Sequence, residues 1–99
     1  MIMSDIQSLI NAINEFRDER NWRQYHNPKD LAISISIEAA ELLEDFQWIS
    51  SEEALKANKE NIREEIADVL IYSFMLCNDL GLDVKEIVEE KIVKNGRKY

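Results

Sequence analysis

Apolar residues recur at helical spacing along most of the chain. Ile6, Leu9, Ile10, Ile13 and Phe16 fall three or four residues apart, the period of one helix face. Ser4, with Gln7 three residues on, marks a helix start of the capping-box kind. The pattern fades near Asn21, and the stretch from there to Asn27 is polar and aromatic. Pro28 then suits the first turn of a second helix. Ile33, Ile35 and Ile37 alternate with serines as a strand would. That run passes unbroken into Glu38-Ala39-Ala40-Glu41-Leu42-Leu43-Glu44, a strongly helical stretch. A single strand would have no partner, so a helix is predicted from about Pro28 to Phe46, closed by Trp48 and Ile49. Ser50 with Glu53 starts a short helical piece. A long helix is predicted from about Lys59 to Leu80, with Gly81 as its stop. Asp83 caps a last helix that is expected to end near Asn95, before Gly96.

Composition agrees with this reading. The chain has 99 residues, 45% of them apolar, with only two Gly and one Pro. That predicts one all-α domain over residues 1–99, four to five helices in all. If monomeric and compact, it would have a radius of gyration of about 13 Å. From Ile66 to Cys77 the third main helix is apolar on nearly every face, and such a helix must be buried all round. A few short helices cannot enclose it, so the bundle is expected to be completed by another subunit. Twenty acidic against twelve basic residues give a net charge of −8. This excludes non-specific binding to a nucleic-acid polymer, which needs basic surface. Cys77, the lone cysteine, reads as a small buried hydrophobe. No 18-residue uncharged run exists, so no membrane span is expected and a cytoplasmic location is the default.

Two acidic pairs carry the candidate chemistry. Glu38 and Glu41 lie three apart on the second helix, and Glu65 and Asp68 three apart on the third. Residues at this spacing share a helix face, and both pairs sit among apolar neighbours. If the two helices pack antiparallel, four carboxylates converge. Unpartnered, they would repel and resist burial. A hard divalent cation resolves the conflict, and all-oxygen ligation suits Mg²⁺ or Mn²⁺. The competing reading is a pair of solvated helix faces. Around the second helix stand aromatic residues, Trp22, Tyr25 and His26 before it and Trp48 after it. Aromatic planes stack on nucleobases, while core or interface packing is the plainer account. His26 is a candidate for discriminating hydrogen bonds. The basic C-terminal cluster from Lys91 to Lys98 complements a helix dipole and offers phosphate contacts.

Glu38-x-x-Glu41, 23 intervening residues, then Glu65-x-x-Asp68 resembles the metal signature of the MazG-like all-α nucleoside triphosphate pyrophosphohydrolases. Glu19 to Leu31 is similar to the aromatic loop of the dCTP pyrophosphatase branch. Phe46-Gln47-Trp48, Asp68 to Tyr72 and Lys91-x-x-x-Asn95-x-x-x-Tyr99 are similar to its later landmarks. The resemblance implies an enzyme that cleaves (deoxy)nucleoside triphosphates between the α- and β-phosphates, releasing pyrophosphate. It implies a homodimer or homotetramer and a role in clearing the nucleotide pool. It places Glu38, Glu41, Glu65 and Asp68 as Mg²⁺ ligands. It places Trp22 and Trp48 at the base, and Tyr72, Lys91 and Asn95 near the sugar and phosphates. One of the four carboxylates, with Glu41 as the candidate, would take the proton of the attacking water. The alternatives are a dUTP-directed or phosphoribosyl-ATP pyrophosphohydrolase, and a non-catalytic helical interaction module.

Overall fold

The computed structural model describes residues 4–99. Five α-helices account for most of them: α1 (Asp5–Glu19), α2 (Pro28–Glu44), α3 (Ser51–Ala57), α4 (Lys59–Asp79) and α5 (Val84–Lys98). No strand occurs among the described residues. The Ile/Ser alternation of residues 33–37 is helical, as its continuity with the Glu/Ala/Leu run requires.

The punctuation follows local chemistry. The Ser4, Asn27, Ser50 and Asp83 side chains accept from the backbone N–H groups of Gln7, Asp30, Glu53 and Glu86. Each thereby satisfies one of the donors that a helix start leaves open. The capping box at Ser4 is only half made, because the Gln7 side chain turns away to donate to Asn11 at 2.8 Å. Helix α4 ends in a Schellman turn. Leu82 N–H reaches the Cys77 carbonyl at 2.8 Å and Gly81 N–H that of Asn78 at 3.1 Å. Gly81 takes φ +69° there, a conformation that costs a side chain but not glycine. Gly96 does not behave this way. It stays helical and α5 runs on to Lys98, since a glycine weakens a helix by only about 1 kcal/mol when no left-handed turn is called for. The segment between α1 and α2 also departs from a plain loop, with Arg23–Tyr25 forming one turn of 3₁₀ helix.

Helices α2 and α4 pack along their lengths and form the centre of the subunit. Helix α1 lies on α4 and α3 closes the far end. There, Asn58 donates to the Asp45 carbonyl at 2.7 Å. The core is thin: Ile10, Leu31, Ala54, Ile62, Met75 and Val84 are its buried apolar residues. Helix α5 packs extensively on no other helix among the described residues. Beyond the buried Val84, its Val88, Ile92 and Val93 are exposed.

The radius of gyration is 15.9 Å, above the roughly 13 Å of a compact chain this long. The accessible surface is 7744 Å², against about 5,800 Å² for a folded monomer of this mass. The excess is apolar in several places. Ile33 and Ile37 on α2 and Ile66 and Leu70 on α4 are about half exposed. A hollow of about 450 Å³ between α1 and α4 is lined by Leu9, Ile13, Phe16, Leu70 and Phe74. Cys77 is part-buried rather than fully enclosed, because the helix that carries it lacks cover on one side. No described helix is long and apolar enough to cross a membrane.

Candidate metal centre and the aromatic loop

Three of the four signature acids meet where α2 faces α4. Glu38, Glu65 and Asp68 each offer a carboxylate oxygen, and these atoms lie within 4.8 Å of one another. Helix geometry brings them there. Glu38 and Glu41 share the face of α2 turned to α4, and Glu65, Asp68 and Tyr72 fall on one stripe of α4. Glu41 stands at the edge of the same cluster, near enough to raise the carboxyls of both Glu38 and Glu65.

The electrostatics are those of carboxylates lacking a counter-charge. Burial, then hydrogen bonds with Glu65 and Glu41 and the charges of Glu41 and Asp68, push Glu38 up to about 7. Burial is also the main cause that raises Glu65, with Glu41 and Asp45 adding to it. The Tyr72 hydroxyl is pushed up by burial and then by Glu38, Asp68 and Glu41, so the phenol stays protonated beside the acids. Glu38 Oε2 is buried with no hydrogen-bond partner. An orphaned anionic oxygen in this position is costly, and oxygens gathered this closely suit a hard divalent cation. The residues present therefore fit a Mg²⁺- or Mn²⁺-type site.

The aromatic residues divide. Trp22 packs edge-on against Phe16, with ring centroids 5.4 Å apart, and stands 6.5 Å from the His26 ring. Trp48 makes no ring contact with a described aromatic residue and is 95% exposed. The core alternative is thereby excluded for Trp48 within one subunit. Its backbone sits at φ +67°, a conformation that costs a non-glycine residue roughly 1–2 kcal/mol. Lys91 and Asn95 lie on α5, a helix that packs extensively on neither α2 nor α4 among the described residues.

Sequence reasoning passed over Arg17 and Asp79. Arg17 is the one buried charged residue among those described. It forms a two-pronged ion pair with Asp79, with one hydrogen bond at 3.0 Å. The pair holds the Asp79 carboxyl below its ordinary range. The available signal was positional: Arg17 follows Ile10 and Ile13 on the apolar stripe of α1, and Asp79 follows Tyr72 by seven residues on α4.

Residues 33–99 match the model of the MazG-like family. The chain is 34% identical to dCTP pyrophosphatase 1 of Bos taurus over 90 residues, covering 86% of this chain and 53% of that one. It matches dCTP pyrophosphatase 1 of Homo sapiens with the same identity and coverage. The chain thus spans about half the length of the curated relatives it matches. Among solved structures, a pyrophosphatase from Archaeoglobus fulgidus superposes with a TM-score of 0.92. It is 48% identical, and the alignment covers all of this chain and 95% of the other.

Proposed function

The chain belongs to the MazG-like family, and from that premise we propose that it hydrolyses (deoxy)nucleoside triphosphates between the α- and β-phosphates, with a cytosine-like deoxynucleotide preferred. The observation that carries the reading is the cluster of Glu38, Glu65 and Asp68 around a buried, partnerless carboxylate oxygen. The names of the relatives point to a pyrophosphatase acting on dCTP.

Glu38, Glu65 and Asp68, with Glu41 at their edge, would hold Mg²⁺ or Mn²⁺. Such a cation supplies charge neutralisation at the phosphates and a lowered pKa for bound water. The chain's own residues do the rest. Glu41 stands beside the cluster and is the general base that takes the proton of the attacking water. The Tyr72 phenol, kept protonated by its acidic neighbours, donates a hydrogen bond toward the sugar or phosphates. Trp22 and Trp48 offer aromatic planes to the base. Trp48 is held out in solvent in a strained backbone conformation, and strain of that kind is a mark of functional positions.

The subunit works in a homo-oligomer, dimer or tetramer. Its surface exceeds that of a folded monomer by about 1,900 Å², more than the roughly 800 Å² per partner of a standard interface. Lys91 and Asn95, on the exposed α5, would contact the sugar and phosphates.

A panel of nucleoside triphosphates tests the activity by metal-dependent pyrophosphate release. Release from a deoxycytidine nucleotide is expected, along with its loss in Glu41→Gln while circular dichroism stays unchanged. Release from no nucleotide would favour a non-catalytic helical module. Preferential release from dUTP or phosphoribosyl-ATP would move the chain to another branch of the family.

A further inference from the structure

We propose that Arg17 and Asp79 are positioning residues that hold His26 in its Nε2–H tautomer, so that the loop before α2 offers a hydrogen-bond donor to an acceptor edge of a nucleobase. The ligand class rests on the reading above.

Water does not reach the Arg17 guanidinium. Arg17 has no exposed side-chain surface, and a buried arginine must place its N–H groups on acceptors. Its Nε donates to Asn14 Oδ1 at 3.1 Å. Both oxygens of Asp79 take its terminal N–H groups. Nη1 also lies 3.4 Å from His26 Nδ1. A guanidinium has five donors and no acceptor. The ring nitrogen facing it must therefore be the acceptor, and a neutral imidazole then carries its hydrogen on Nε2.

Protonation of the ring would set an Nδ1–H against the guanidinium. Burial, then the charges of Arg17 and Arg23, lower the His26 pKa, with Asp79 opposing them. The ring thus stays neutral at physiological pH. Nε2 makes no hydrogen bond to a described residue, so its donor is left for a ligand.

The backbone of the same arginine also ties down the neighbouring aromatic residue. The Trp22 backbone N–H donates to the Arg17 backbone carbonyl at 2.9 Å, and the Trp22 ring stands 6.5 Å from the His26 ring. A stacking surface and a donor of known polarity thus stand side by side, one tied to the backbone of Arg17 and the other to its side chain. Asp79 ties that anchor to the stripe of α4 that carries Glu65, Asp68 and Tyr72. It follows Asp68 by eleven residues, about three turns or roughly 16 Å along the helix. A ligand touching both ends must be elongated and polar at one end, as a nucleotide is.

His26 is the sole histidine, so nitrogen-15 NMR of the imidazole reads this one site without ambiguity. At pH 8, the wild-type ring is expected with Nδ1 unprotonated and Nε2 protonated. The double variant Arg17→Met/Asp79→Leu replaces the ion pair by apolar groups of similar size, a change buried pairs often tolerate. With the fold confirmed by circular dichroism, its His26 is expected to populate both tautomers. Its nucleotide KM is expected to rise about twofold, as it does when only about half of the rings present the donor, with kcat little changed. A purely structural pair would move neither the tautomer nor KM in a folded variant. A wild-type ring in the Nδ1–H form, or in an even mixture, overturns the proposal. So does a folded double variant that keeps both the wild-type tautomer and KM. Should that variant not fold, the wild-type tautomer alone decides. If no nucleotide is hydrolysed by the wild type, the nucleotide reading falls, and the tautomer is still settled by the spectrum.

Discussion

Glu38→Gln separates a cation site from a solvated acidic face without relying on catalysis. The change keeps the volume of the side chain and removes its charge. In the cation-free protein, Glu38 ionises only near pH 7 instead of near its ordinary 4.5. Between these values the folded chain holds more protons than the unfolded one. Unfolding free energy therefore falls as pH rises from about 4.5 to about 7 and then levels off. In Glu38→Gln this part of the slope disappears, and the cation-free variant is at least as stable as wild type at pH 8. Divalent cation reverses the order. At a free concentration of about 100 times Kd, binding to the folded state adds about 2.7 kcal/mol, or about 10–20 °C in Tm for a chain of this length. Below pH 7 the cation must displace the Glu38 proton, so apparent affinity drops about tenfold per pH unit for each proton released. Melting curves at pH 6, 7 and 8 with and without Mg²⁺ or Mn²⁺ test all three points. A wild-type Tm shift equal at pH 6 and pH 8 would refute the proton competition. A full shift retained by Glu38→Gln would refute the site.

Two further outcomes follow from exposure. Trp48→Ala should leave stability within about 0.5 kcal/mol, as for other surface changes, because the side chain is 95% exposed. Nucleotide affinity should fall about 5- to 150-fold, the loss of one base stack. A drop in Tm of many degrees with unchanged affinity would return Trp48 to a packing role. In sedimentation at micromolar concentration the chain should run as a dimer or larger, and a lone 11.6 kDa species would contradict the assembly.

The helices were legible because their signals are local. Ser4, Asn27, Ser50 and Asp83 each carry a side-chain acceptor where a helix must open. Gly81 announces a left-handed stop. Gly96 carries the same letter but no such turn, since nothing after it folds back on α5. The acidic pairs were legible because a three-residue spacing fixes the face of a helix. The step from two faces to one cluster needed the α2–α4 packing, which periodicity alone does not supply. The Arg17–Asp79 pair escaped notice for a related reason. Its partners are 62 residues apart, and a charge on an apolar stripe is visible in sequence while its counter-charge is not. Trp48 carried the opposite ambiguity: an aromatic beside apolar residues gives no sign that its backbone will turn the ring outward.

The sparse tertiary contacts of α5 bear on how the amide hydrogens of this protein exchange with solvent. Isolated helices of about 15 residues are marginal in water, and α5 has 15 with packing confined mainly to its first turn. In a dissociated subunit its amides are therefore guarded only by a helix that opens easily, whereas those of α2 and α4 are guarded by the core. In the proposed homo-oligomer, protection along α5 becomes a property of subunit concentration rather than of the chain. Dilution would unlock residues 88–98 well before the helix pair that carries the carboxylates, and deuterium uptake there would read the assembly equilibrium directly.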